Sequence, residues 1–492
     1  MTEWWRDAVV YQVYPRSFAD SDGDGIGDLP GITSRLPKLA ELGVDAVWLS
    51  PFYPSPQNDA GYDVSDYRDV EPIFGTLDDA DALIGRAHEL GLRVVVDIVP
   101  NHTSSEHRWF QAALAAAPGS HERSRYHFHE GSGQDGSTPP NNWRSVFGGP
   151  AWTRVREADG SLGQWYLHMF DSTQPDVNWD RPDVHEEYAA TLRFWLDRGV
   201  DGFRIDVAHA MVKEPGLPDW DDDDRPMAGT AEITDDRRPP MWDRDEVHEI
   251  YREWRKIADS YDGDRMLVAE AWVTPYSRLA RYTRPDELHQ AFNFDHCVAS
   301  WQALAQWEVL TTSVDGSAAV GAPATWVLSN HDIVRHASRF GYPPASRGLG
   351  GIGPGDAQPD AALGLRRARA ATLLMLALPG SAYLYQGEEL GLPSTPPCRA
   401  RSARTRPGSA PTTRRPAATA AGSPCRGRAT RRPTASERRS GPGCRSRRPT
   451  ASWRATGRRA SRAPRWRCTG RRCGCAGSSA SVAAGPWSGS PS

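Results

Sequence analysis

Cysteine is nearly missing from most of this chain. The first 394 of its 492 residues hold only Cys297, which excludes the disulfide framework of a secreted scaffold. Residues 1–7 lack the charged-then-apolar pattern of a secretory signal, and no apolar run, 370–378 included, reaches the length of a membrane span. A soluble, cytoplasmic protein without membrane contact is the expectation, and the sequon Asn101-His102-Thr103 is read as chance. Residues 395–492 lack more: they contain no Leu, Ile, Phe, Met, Tyr, Asn, Gln, Lys or Asp, and a single acid, Glu437, stands against 23 Arg. No helix stripe or strand alternation can be written through them. They have too little apolar surface to offset the entropy of ordering, so disorder is expected. A nucleic-acid arm would use such arginines, but it would bring Lys as well and gives no reason for six scattered Cys. Arg, Pro, Ala, Ser, Gly, Cys and Trp are what a GC-rich gene yields when translated out of frame. A frameshifted tail is the preferred reading, and no nucleic-acid partner is expected.

The formal net charge of −4 hides this division, because the first 394 residues carry 35 basic and 61 acidic side chains. Their hydrophobic pattern alternates regularly. A β-branched and aromatic strand at 9–15 is followed by helical spacing over Leu29–Leu42, with Pro30 at its start and Gly43 at its end. Strand 46–50, helix 77–90 and strand 93–100 repeat the unit. The alternation pauses from 101 to about 178, a polar stretch rich in Trp, and resumes with helix 188–199, strand 202–207, helix 245–261 and strand 266–272. Further strands are expected at 291–295, 324–329 and 381–386, with a helix at 363–378 before the last. Eight strands separated by helices predict an α/β fold closed as a (β/α)8 TIM barrel rather than an open sheet. The barrel would take residues 1–102 and 180–394, and 103–179 would form an insertion subdomain after the third strand. The acidic, proline-rich stretch 216–240 is expected as a surface loop over the catalytic face.

Two kinds of site stand out. Asp20, Asp22, Asp24 and Asp28 surround Gly23, Gly25 and Gly27, and with the Ile26 carbonyl they offer the oxygens a hard cation such as Ca²⁺ takes. A solvated acidic turn is the alternative; an EF-hand is excluded because Gly31 stands at the twelfth position. The other kind is a set of strand ends. In Gly-Phe-Arg-Ile-Asp at 202–206, Arg204 and Asp206 share one face of a strand. Such an arginine favours an ionised carboxylate, as a nucleophile, a metal site or a plain ion pair requires. The third strand leads to Asp97, Asn101 and His102, the fifth to Glu270 and the seventh to His331 and Asp332. The carboxyl ends of barrel strands build active sites, and four such ends on one rim are hard to attribute to packing.

These blocks, at 97–102, 202–206, 268–272 and 327–332, resemble in order and spacing the α-amylase superfamily of glycoside hydrolases, family 13. Gln174-Pro-Asp-Val-Asn-Trp179 is similar to a further block of its oligo-1,6-glucosidase and α-glucosidase branch. The resemblance covers residues 4 to about 393. It implies Asp206 as nucleophile, kept anionic by Arg204, Glu270 as general acid and base, and Asp332 as a binder of sugar hydroxyls that favours the distorted ring. His102 and His331 would donate hydrogen bonds to the same sugar. Asp59 and Tyr62, in Asp-Ala-Gly-Tyr-Asp at 59–63, resemble the pocket for the nonreducing-end glucose, which implies exo-action on short α-glucosides. The loop of Asp20, Asp22, Asp24, Ile26 and Asp28 matches a metal loop of that branch, so one structural Ca²⁺ or Mg²⁺ is implied and no cofactor for the chemistry. Val207 after the nucleophile accompanies α-1,6 activity in the family, whereas the string 207–213 looks more like maltose-type α-glucosidases. The expectation is a retaining α-glucosidase acting on α-1,4 or α-1,6 bonds, the alternatives being a disaccharide transglycosylase or isomerase, or a chain inactivated by its altered C-terminus. The family continues past the eighth strand with a last helix and an all-β domain. This chain departs at about Ser394, so that helix is expected to be missing.

Overall fold

Local signals shape the first helices as the spacing predicts. Helix Leu29–Leu42 opens where the Asp28 side chain accepts the Gly31 N–H and closes at Gly43 in a left-handed conformation (φ 92°). Helix Leu77–Glu89 starts with a reciprocal cap between Thr76 and Asp79. The computed structural model describes residues 3–157, 159–221, 238–343, 351–353 and 355–394. The frameshifted, disordered stretch expected at 395–492 and most of the expected loop at 216–240 lie outside the described residues.

The strands are β1 (Val9–Val13), β2 (Ala46–Leu49), β3 (Arg93–Ile98), β4 (Phe128–His129), β5 (Trp152–Arg156), β6 (Leu162–Leu167), β7 (Gly202–Ile205), β8 (Met266–Ala269), β9 (Gln290–Ala291), β10 (Thr325–Val327) and β11 (Ser381–Tyr385). Eight of them pair in the order β10-β11-β1-β2-β3-β7-β8-β9, every pair parallel. Across the remaining seam, between β9 and β10, the Asn293 N–H donates to the Thr325 carbonyl at 3.2 Å. The sheet is a nearly closed (β/α)8 barrel.

Two expectations are corrected. The strand expected at 291–295 is only Gln290–Ala291, because Asn293 accepts the His296 N–H and starts the helical turn Phe294–Val298. The helix expected to begin at 188 begins at Pro182, a residue suited to a first helical turn.

Strand alternation divides the core. Val10, Ala46, Trp48, Val95, Met266, Val268, Val327 and Tyr383 pack together inside the barrel. Val47, Val94, Phe203, Leu267 and Leu384 join a separate layer with helix residues such as Leu36, Leu83, Leu192 and Trp254. In register, Asp97 lies beside Arg204 and Arg204 beside Val268, so the parity that turns Val268 inward turns Asp97, Arg204, Asp206 and Glu270 inward as well.

The segment between β3 and helix Pro182–Asp197 carries its own antiparallel sheet, β4-β6-β5. Its Trp143, Trp152, Met169 and Phe170 pack with Val207, Ala210 and Trp242 from the rim beyond β7. Barrel and insertion lie in one compact unit, residues 1–427; the second unit, residues 428–492, lies outside the described residues. Among the described residues no helix is long and apolar enough to cross a membrane.

Candidate active site

The site is built around one guanidinium. Arg204 is fully buried; its Nη1 donates to Asp97 Oδ1 at 2.7 Å and to Asp206 Oδ1 at 2.6 Å, and its Nη2 donates to Glu270 Oε2 at 2.6 Å. The group also sits over the rings of Trp48 and Tyr62, 5.2 and 5.6 Å from their centroids. Trp48 Nε1 and the Tyr62 hydroxyl both donate to Asp97 Oδ2. Asp97, Asp206 and Glu270 thus share one positive charge.

That sharing weakens the expectation that Arg204 keeps Asp206 anionic. Burial pushes the Asp206 carboxyl well above the usual range, and the charges of Glu270 and Asp97 add to this, with Arg204 opposing. Burial works on Glu270 too, yet Arg204, the Val207 N–H and a hydrogen bond with Asp206 together hold it below its ordinary value. Asp97 is pushed up to about 7 by burial, against Arg204 and Trp48. A single guanidinium cannot keep three buried carboxyls ionised at once, so a proton is held within the group.

The backbone helps to aim Glu270. Val207 adopts φ 42°, a conformation costly for a β-branched residue, and in it donates its N–H to Glu270 Oε2 at 3.1 Å.

Aromatic and polar side chains from neighbouring strand ends surround the carboxyls. The Tyr62 ring stacks on His331, with centroids 5.0 Å apart and planes 6° from parallel. Gln12 Nε2 donates to His331 Nδ1 at 2.9 Å, which leaves the ring proton on Nε2, 3.3 Å from Asp332 Oδ2. The Asp332 side chain is 52% exposed, yet the protein around it still removes enough water that burial, followed by the Glu270 charge, pushes its carboxyl up to about 7. Asp59 accepts from Gln174 Nε2 at 2.9 Å, and burial raises it to about 7 as well. His102 lies 3.1 Å from the same Gln174 nitrogen and 3.2 Å from the Tyr62 carbonyl. Burial lowers His102 to about 4 and His331 to about 3, so both rings are neutral hydrogen-bonding groups at pH 7.

All eight residues expected for catalysis and sugar binding therefore belong to one hydrogen-bonded and ring-stacked network. Several members carried no expected role: Asp97, Trp48, Gln174 and Lys213. The ammonium of Lys213 is buried, 2.8 Å from Asp176 Oδ2 and 3.0 Å from Asn101 Oδ1, and it also donates to the Ala210 carbonyl. It joins the insertion to two barrel loops. Gln174 and Lys213 both lie in strings that the resemblance singles out, but nothing local marks their partners.

The acidic loop is a separate feature. Carboxylate oxygens of Asp20, Asp22 and Asp28 lie within 4.8 Å of one another. The N–H groups of Gly23 and Gly25 hold Asp20 below its usual range, so it stays anionic. This all-oxygen donor set fits a hard divalent cation. Asp24 is not in the converging trio; its Oδ1 accepts the Ile26 N–H at 2.7 Å.

A (β/α)8 barrel with acids converging at its strand ends has the form of an acid–base enzyme, and comparison gives the family. Residues 12–416 match the alpha amylase catalytic domain model. The chain belongs to this family of glycoside hydrolases, family 13. It is 41% identical over 402 residues to a "probable alpha-glucosidase" of Rhizobium meliloti, covering 79% of this chain and 68% of that protein. It is 38% identical to an oligo-1,6-glucosidase of Parageobacillus thermoglucosidasius, covering 79% of this chain and 66% of that one. Among solved structures, an alpha-glucosyl transfer enzyme superposes with a TM-score of 0.67 at 36% identity, over 80% of this chain and 70% of its own. The chain spans about two thirds of the length of these proteins.

Proposed function

We propose that the chain is a retaining, exo-acting α-glucosidase that hydrolyses terminal α-1,4 or α-1,6 bonds of short oligosaccharides. The observation that carries this reading is the joint grip of Arg204 on Asp206 and Glu270, which brings both carboxyls onto one guanidinium. Inverting enzymes hold their carboxyls roughly 6.5–9.5 Å apart to admit a water, whereas direct attack needs them about 5 Å apart. Asp206 attacks the anomeric carbon and Glu270 protonates the departing oxygen; Glu270 then takes a proton from the water that releases glucose. As positive charge grows on the sugar, the anion becomes favoured on Asp206, and the proton held by the group crosses to Glu270. Asp332 and His331 bind hydroxyls of the same ring, and Asp59, Tyr62 and His102 close the pocket behind it.

The test is proton NMR during digestion of maltose and isomaltose. α-Glucose should appear first and mutarotate later; β-glucose first would overturn the mechanism. Glu270→Gln should lower kcat about 10²–10⁴-fold. A second reading, in which a sugar intercepts the glycosyl-enzyme, is favoured by the likeness to an alpha-glucosyl transfer enzyme; disaccharide isomers without free glucose would select it. A folded chain with no turnover would point to inactivation through residues 395–492. Sequencing the gene across the codons for 388–400 tests whether that stretch is out of frame.

We also propose one structural Ca²⁺ or Mg²⁺ in the loop of Asp20, Asp22, Asp24, Ile26 and Asp28. Calcium titration should raise Tm, and Asp20→Asn should abolish the rise. The cytoplasmic location belongs to the same proposal, and fractionation of the native host tests it.

A further inference from the structure

Strand β1 holds no acid and no histidine, yet one of its side chains reaches the site. Gln12 shares the inward parity of Val10 and is buried. Its Nε2 donates to His331 Nδ1 at 2.9 Å and to Ser50 Oγ at 3.1 Å, so both amide hydrogens are used. Its Oε1 is buried and has no hydrogen-bond partner among the described residues. A buried carbonyl oxygen left unpaired destabilises a fold, and an apolar side chain of similar length would avoid that defect.

The other neighbours of His331 hold its ring without choosing its tautomer. Tyr62 and Tyr14 both stack on it, with centroids 5.0 and 5.6 Å away and planes 6° and 21° from parallel. Stacking fixes the plane of an imidazole but is indifferent to which nitrogen carries the proton. Within that plane Nδ1 meets the Gln12 amide, and Nε2 lies 3.3 Å from Asp332 Oδ2. Above about pH 7 Asp332 is ionised and can only accept. Nε2 must then carry the proton, and Nδ1 needs a donor. The amide nitrogen of Gln12 is that donor; the amide turned over would set its oxygen against a bare ring nitrogen.

We propose that Gln12 is a positioning residue for the hydrolysis: it holds His331 as the Nε2–H tautomer, a donor aimed at the sugar beside Asp332, and leaves its own oxygen unpaired in doing so. The identity of the sugar rests on the glucosidase reading, whereas the hydrogen-bond roles of Gln12 and His331 do not.

The test uses the full chain. Nitrogen NMR of labelled histidine rings at about pH 8, where Asp332 is ionised, should show the His331 ring protonated on Nε2 and bare on Nδ1, its signals being those lost in His331→Asn. Gln12→Glu should move the proton to Nδ1. Gln12→Met removes the donor together with the unpaired oxygen, so kcat/KM on maltose should fall about tenfold, the worth of one buried hydrogen bond, while Tm stays level or rises. In a His331→Asn background the same substitution should cause no further fall, because Gln12 acts through the ring. A proton on Nδ1 in the parent, or a Tm that falls together with kcat/KM in Gln12→Met, would overturn the proposal. A parent inactive on maltose and isomaltose but protonated on Nε2 would count against the hydrolase reading and support the tautomer assignment.

Discussion

Replacing Arg204 tests the site most directly, because one side chain serves three carboxyls. Arg204→Met keeps an unbranched aliphatic stem but removes the guanidinium that sits over Trp48 and Tyr62, so Asp97, Asp206 and Glu270 each lose a charged donor at 2.6–2.7 Å. Hydrogen bonds to charged groups contribute about 1.5–3 kcal/mol each. Removing one partner of a buried pair costs about 3–5 kcal/mol when the other stays ionised. The carboxyls can instead take up protons, so much of the loss should appear as a shift in titration. Arg204 opposes the upward shift of both Asp206 and Asp97; without it their folded values rise further, and the acid limb of kcat/KM moves to higher pH. Losing the contacts to Asp206 and Glu270 together, about 3–6 kcal/mol by the same figures, predicts a fall of roughly 10²–10⁴-fold at pH 7. Arg204→Lys keeps a charge, but a single ammonium cannot reproduce the two-nitrogen grip, so it should fall between. The assay is the pH dependence of kcat/KM on maltose, with Tm as the check on folding. A folded Met variant with parental kcat/KM and an unmoved acid limb would refute the argument that Arg204 organises the acids.

Other perturbations follow from single contacts. Lys213→Met leaves Asp176 buried without its cation and should cost about 3–5 kcal/mol; thermal unfolding would read this as a lowered Tm, and an unchanged Tm would show that the pair holds nothing. Gly202→Ala would drive a methyl group into the Met266 carbonyl across the β7–β8 pairing, so the chain should become insoluble on expression or lose Tm sharply. Asp97 is raised to about 7 in the fold, above an unfolded value near 3.9. The folded chain therefore binds the extra proton between these values, and the contribution of this group to stability is full below about pH 4 and lost as pH rises through 7. Asp97→Asn should flatten the decline of Tm between about pH 4 and 7, and an identical decline would exclude this group as its source.

The sequence by itself determined the features that neighbouring residues control. Asp28 and Gly43 bound the helix Leu29–Leu42 through hydrogen bonds within a few residues, and runs of β-branched residues located the strands because pleated backbone suits them. Four strand ends with acids and histidines were legible for the same reason, since strand parity decides which side chains share a face. Local signals misled where a nearby cap intervened: Asn293 turned the expected sixth strand into a two-residue pairing. The tertiary structure alone decided which side chains meet. Strand register brought Asp97 onto Arg204, although they are 107 residues apart. Folding of the insertion brought Asp176 to Lys213 and Gln174 to Asp59. The upward shift of the Asp206 carboxyl also belongs to the assembled site. An adjacent arginine predicts a free carboxylate, but closing the barrel buries three acids around that arginine, and desolvation then opposes the charge it favours.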